Sequence, residues 1–427
     1  MAEPITDGPP VWTQAASPSP TDDCKIADGL PSELLAEGRG GMWNGMKARG
    51  PVGFPWRSAN YFPNTGSLNM LAVLVAFSDT SKFVDNPHDY WDPQVRQIEK
   101  WSTFWSQGAM TFTFDVVDQW VELPFPSFEA PASDTALAAA IVERLPADID
   151  LGSVDAVFLY WAPGITAGTR SDFGLRVNSI DERERDPNDP TIRQMVWSSD
   201  LYHYEDSGLL TVDTKRNSLW THLVHEILHE MNMNLHGPGN GWATGVGQNH
   251  YPTQQSGQSV ALVAWEQFLL SWMNDEQVHC ITPSDLATTQ NVILTPLEVY
   301  GGERRVIIVP LSESDVVVVE SRRPIGYSAT WDPSNSGLLV YTVNPQVPEQ
   351  VDHVPQDCGN DPTYTKWAYY LFPDQETEDP TTWCGARGGV FYPAIVNVGE
   401  TVTHNGMRIE LVHSTDGEDF VTVTAVD

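Results

Sequence analysis

Read for its apolar positions, the chain changes character twice. From Leu68 to Ala76, "LNMLAVLVA" is almost wholly apolar and stops at Ser78 and Asp79, the pattern of a strand buried on both faces. Trp91, Val95, Ile98, Trp101 and Trp105 then recur at helical spacing until Gly108 interrupts them. "TFTFDVVDQWVEL" has strand-like aromatic and β-branched density. "SDTALAAAIVERL" opens with capping residues and has high helix propensity, and "VDAVFLYWAPG" reads as a second buried strand. Strands alternating with helices predict an α/β unit from about 65 to 275. After the apolar helical stretch "SVALVAWEQFLLSWMND" the pattern changes to short strands separated by turns: "NVILTPLEV", "RRVIIVPL", "DVVVVESRR", "GLLVYTV", "GGVFYPAIVNVGE", "MRIELVHS" and "DFVTVTAV". Before residue 65 no period is sustained, and Pro, Ser, Gly and Asp dominate.

The expected architecture is therefore α+β: an extended segment over 1–64, packed in part through Cys24 and "GFPWRSANYF", a mixed α/β domain over 65–278, and a β-rich, sandwich-like region over 279–427. Composition agrees with a folded chain, because 41% hydrophobic residues and 16 Trp exceed what a disordered acidic chain carries. The 57 acidic against 23 basic residues, a net charge of -34, repel phosphate backbones and anionic lipid headgroups, which argues against nucleic-acid and membrane-surface roles. No apolar run reaches the ~20 residues that span a bilayer, so membrane insertion is not expected. The start "MAEPITDGPPVW" has neither a basic opening nor an apolar stretch. A secreted form is expected to have lost its signal peptide.

Four cysteines, Cys24, Cys280, Cys358 and Cys384, form no CxxC pair and fit two structural disulfides. Cys358 and Cys384 flank one loop and are the first pair expected; Cys24 with Cys280 follows by elimination. "ERERDPNDPTIRQ" could hold calcium through Asp186 and Asp189, but it lacks EF-hand spacing and a solvated loop is the favoured reading.

The stretch that carries chemistry is "THLVHEILHEMNMNLHGPGNGW", in which His225, Glu226 and His229 form HExxH. On a helix advancing ~100° per residue from His222, His229 falls near ~340°, His225 near ~300° and Glu226 near ~40°, while Trp220, Val224, Ile227 and Met231 cluster between ~140° and ~200°. A helix buried on its apolar side would present both imidazoles, one turn apart, with Glu226 beside them. Zinc chemistry requires this: two neutral imidazoles and a third ligand hold the ion, an open position activates water, and the adjacent carboxylate takes the proton. His222 shares that face, as a hydrogen-bond partner of the site or a plain surface histidine.

The extended pattern HExxHxxGxxH places glycine where Asn232 stands and its third ligand where Leu235 stands, and leucine coordinates nothing. Asn tolerates the left-handed turn, and one extra residue would bring His236 to the metal. His250 and Glu266 compete with it. The neighbours of Glu266, "AWEQFLLSW", look like a packing helix with one solvent-facing acid. Tyr251 or His250 could stabilise an oxyanion, although an ordinary loop pair is favoured.

"MLAVLVAFSDT", "HEILHEMNM", "VVVVESRRPIGYSATWDPSNSGLLVYTVN" and "VNVGETVTHNGMRIELVHS" together resemble the secreted zinc metallopeptidases of the immune inhibitor A type, over roughly 65–425. The resemblance implies a zincin-like, metzincin-like catalytic domain, an extracellular endopeptidase acting on proteins and peptides, a catalytic Zn2+ and often structural Ca2+. By motif position it gives zinc binding to His225 and His229 and the general base to Glu226. The rival reading from another class is a catalytically silent secreted binding or surface module.

Overall fold

The computed structural model describes residues 12, 16–28, 53–56, 62–131, 134–162, 195–197, 220, 223–224, 227–228, 231, 261–313, 315–329, 336–345, 370–371 and 395–426. The architecture is mixed α+β, with several sheets and few helices among the described residues. Two compact units divide the chain. One comprises Thr65–Phe104 and Gly108–Ile227; the other comprises Met1–Asn64, Trp105–Gln107 and Leu228–Asp427.

The first unit is built on a parallel sheet. Its central strand β1 (Gly66–Ala76) is flanked by β2 (Met110–Val116) and by β4 (Ala156–Trp161), with β5 (Met195–Trp197) beyond β4 and the short β3 (Val121–Glu122) also pairing β1. The run of apolar residues in β1 has a direct cause: from Met70 to Ala76 every side chain is buried, as the middle of a parallel sheet covered on both faces requires. One row, Leu71, Val73 and Val75, packs with Val157, Leu159 and Trp161 against Leu137, Ala138 and Ile141 of helix α2 (Asp134–Val142). Tyr160, in register with Leu74 and so on the opposite face, meets Tyr90 of helix α1 (Pro87–Trp105) at 4.8 Å between ring centroids. The two helices therefore cover opposite faces, and within this unit α1 buries the stripe Trp91, Val95, Ile98 and Trp101.

The second unit holds two sheets. One has the order β11–β10–β9–β8–β6, with β12 also pairing β10: β6 (Val278–Cys280), β8 (Val306–Pro310), β9 (Val316–Arg322), β10 (Gly337–Val343), β11 (Tyr370–Leu371) and β12 (Ile395–Val396). The other has the order β13–β14–β15–β7: β7 (Gln290–Leu294), β13 (Thr401–His404), β14 (Met407–Ser414) and β15 (Asp419–Ala425). Ile307, Val309, Val317, Val319, Leu338 and Val340 from the first share one core with Val292, Leu294, Ile409, Leu411, Val421 and Val423 from the second. Asn405 and Gly406, both at positive φ (48° and 74°), close the two-residue turn from β13 to β14, the conformation Asn-Gly adopts without strain. Cys24 and Cys280 are joined in a disulfide, as expected; Cys358 and Cys384 lie outside the described residues. The three-residue β6 was not predicted from sequence, because "VHC" is too short to show a period.

Two histidines are buried in this unit at places where a charge is unwelcome. His279 on β6 is 1% exposed, and neither ring nitrogen has a partner among the described residues. His404 ends β13 and contacts the Thr342 hydroxyl through Nε2 at 2.6 Å. Burial lowers both to about 4, with the Arg304 charge adding to the effect at His279. An unfolded histidine takes up its proton near ~6.5, whereas the folded ones refuse it until pH 4. Stability is therefore complete above pH ~6.5 and falls as pH drops toward 4, by up to ~3 kcal/mol per histidine. Urea unfolding between pH 7 and 4.5 is expected to show this slope, reduced in His279→Gln; identical slopes would remove His279 from the account.

Candidate functional site

The stretch around the zinc motif contributes six described residues, five of them buried and Trp220 half-buried. Trp220, Leu223, Val224, Ile227 and Leu228 are helical, and Leu223, Val224, Ile227, Leu228 and Met231 are all fully buried. On the ~100° projection from His222 the buried positions fill an arc from ~100° to ~240°. The backbone N–H of Trp220 donates to Gln94 Oε1 on α1 at 3.0 Å, which ties the first described helical residue to the α1 face of the sheet in that unit. His222, His225, Glu226, His229, His236, His250 and Tyr251 lie outside the described residues, as do Asp186 and Asp189.

Glu266 is the one candidate ligand within them, and here an expectation is corrected. It is not a solvent-facing acid but 1% exposed, because all six residues of helix α3 (Ala264–Leu269) are buried. Its Oε2 accepts weakly from Val263 N–H at 3.4 Å, and its Oε1 has no partner among the described residues. Burial raises its pKa well above the usual carboxylate range; the nearby Glu320 charge adds to this, while the Val263 N–H and Arg322 oppose it.

Beneath α3 lies a polar cluster on the outward face of β9 that the sequence analysis did not single out. Arg322 is 1% exposed and bridges two buried carboxylates, reaching Glu320 Oε1 at 2.8 Å and Glu298 Oε1 at 3.0 Å. Its Nη1 also donates to Leu262 O at 2.9 Å. Glu320 Oε2 accepts from Ala264 N–H at 2.6 Å and from the Tyr341 hydroxyl at 2.8 Å. The second carboxylate is bound as firmly: Glu298 Oε2 accepts from Arg323 N–H at 2.9 Å and Oε1 from the Ser328 hydroxyl at 3.0 Å. These bonds fix Leu262–Ala264, the entry to α3, against the sheet. The signal was present in "VVVVESRR": Glu320 and Arg322 stand two apart, on one face of a strand.

No protein-family model matches the chain, and no curated protein matches it. The functional reading therefore rests on the residues themselves. Among the described residues no group of three or more His, Cys, Asp and Glu side chains could hold a metal ion, and no helix is long and apolar enough to cross a membrane. The imidazole and carboxylate donors of the HExxH stretch are of the type that zinc takes.

The burial of Glu266 has a measurable sign. Its folded-state pKa lies above the unfolded value, so the stability it contributes is present below pH ~4.5 and is lost as pH rises through the folded pKa. Metal-free Glu266→Gln, of equal shape and without the charge, is expected to be more stable than wild type at pH 8 and nearly equal to it at pH 4.5. Thermal melts at both pH values check this; destabilisation at pH 8 would mean that the carboxylate is paired.

Proposed function

We propose that this chain is a secreted zinc metalloendopeptidase with a zincin-like catalytic domain, cutting peptide bonds in protein substrates. The observation that carries the reading is the agreement between the HExxH string and the buried arc of Leu223, Val224, Ile227, Leu228 and Met231. Such an arc leaves the opposite side of an ideal helix for His225, Glu226 and His229. Those two imidazoles would hold the ion. His236 is the favoured third ligand, with His250 and Glu266 as its competitors.

When bound, zinc supplies Lewis acidity that polarises a peptide carbonyl and makes water more acidic. Glu226 accepts the proton of the attacking water and passes it to the leaving amine. His222 is the candidate to orient that carboxylate, with a plain surface histidine as the alternative, and Tyr251 with His250 is the candidate donor pair for the developing oxyanion. The buried Cys24–Cys280 disulfide fits an oxidising compartment, and the net charge of -34 fits a protein kept apart from nucleic acid and anionic lipid. Calcium remains part of the proposal only through the family resemblance.

Glu226→Gln is expected to retain zinc and to lose about 10²–10⁴-fold in casein hydrolysis. Stoichiometric zinc in the wild-type protein without hydrolysis of any protein substrate would instead favour the catalytically silent module. Zinc titration of His236→Ala and Glu266→Gln then identifies the third ligand. A loss of affinity confined to His236→Ala supports the favoured assignment, and a loss confined to Glu266→Gln replaces it.

A further inference from the structure

The N-terminal segment is fastened to the β-rich unit through Trp12, Ser17, Ser19, Thr21 and Cys24. Trp12 packs on Phe420 of β15, with ring centroids 5.6 Å apart. β6 closes one end of its sheet, and this segment covers it: Cys280 N–H donates to Ser17 Oγ at 2.8 Å and Ser19 N–H to Cys280 O at 3.3 Å. Ser19 Oγ donates to Asp285 Oδ2 at 2.8 Å and Thr21 Oγ1 to Asp275 O at 3.3 Å. The disulfide follows, and both of its cysteines are fully buried.

The chain then returns. Phe54 N–H donates to Ile26 O at 2.8 Å and Asp28 N–H to Phe54 O at 3.0 Å. The approach is so close that a Cβ on Gly53 would stand 2.6 Å from the Asp28 nitrogen. The Phe54 ring meets Phe268 and Trp265 of α3 at 4.9 and 5.7 Å, and Asn64 exchanges hydrogen bonds with Leu270 O and Trp272 Nε1. Residues 29–52 join these two anchored pieces.

We propose that the segment before Asp28 is a permanent clasp of the folded protein, held covalently. A cut anywhere in 29–52 then yields a two-chain protein and does not release a pro-segment. This inference goes beyond the peptidase reading and does not depend on it. The hydrogen bonds of Ser17, Ser19 and Thr21 are part-buried, and those of Ile26 and Asp28 reach Gly53 and Phe54, so the covalent bond is the one link that does not exchange with water. Because no solvent reaches either cysteine, a folded, nicked protein keeps that bond under mild reduction.

The test places a specific protease site after Gly41 in the full chain. The nicked protein is expected to run as one species on gel filtration, with the intact mass increased by one water, and to separate into two fragments only when denatured and reduced. Its melting temperature should stay close to that of the uncut protein. In Cys24→Ser/Cys280→Ser, already folded before cutting, nicking is expected to release the N-terminal fragment and lower the melting temperature by several degrees. If that double variant does not fold, a comparison of nicked wild type before and after denaturing reduction decides the same point. Loss of the fragment from nicked wild type without reduction, or its full retention in the double variant, overturns the proposal.

Discussion

Arg322 is buried between two carboxylates, and the entry to α3, two strands and the loop of Glu298 are arranged around it. Its guanidinium lies between Glu320 and Glu298, both fully buried at their side chains. Removing one partner from such a cluster typically costs about 3–5 kcal/mol, because the remaining charge stays buried and uncompensated. The same groups hold the backbone of Leu262 and Ala264, the hydroxyl of Tyr341 and the backbone of Arg323. One ionic cluster thus joins the entry to α3, two neighbouring strands and the loop that carries Glu298.

That arrangement also fixes register. On β9 the residues Val317 and Val319 enter the shared core, and Glu320 and Arg322 belong to the opposite outward-facing cluster. A slip of one residue would drive an acid and a guanidinium into the space between the sheets. The next turn supplies a second lock: Arg323 reaches Asp419 Oδ1 on β15 at 2.5 Å, and Ser321 donates to Asp419 Oδ2 at 2.7 Å, so the two sheets are joined by charge as well as by apolar contact.

Much of this fold was legible in the sequence where burial has a simple period. "LNMLAVLVA" had to be a central strand, the tryptophan spacing had to be α1, and the β-rich end was plain from its turn-punctuated runs. Glu266 was misjudged because one acid in an apolar helix is ordinarily its wet side. Nothing within "AWEQFLLSW" announces that the chain will cover every side of it. The ionic cluster escaped for a related reason: Glu298, Glu320 and Arg322 meet only after the strands pair. At the candidate site, sequence alone supplied HExxH, and the structure adds the burial of Leu223, Val224, Ile227, Leu228 and Met231 in the stretch that carries it.

The disulfide has a consequence in time as well as in space. Cys24 is synthesised 256 residues before its partner, so it remains a free thiol until most of the chain exists. Edge strand β6, which the N-terminal segment covers, also lies late in the chain, and its partner β8 lies later still. The beginning of the chain therefore has to wait for its place, and an oxidant met too early finds Cys24 with no correct partner to join.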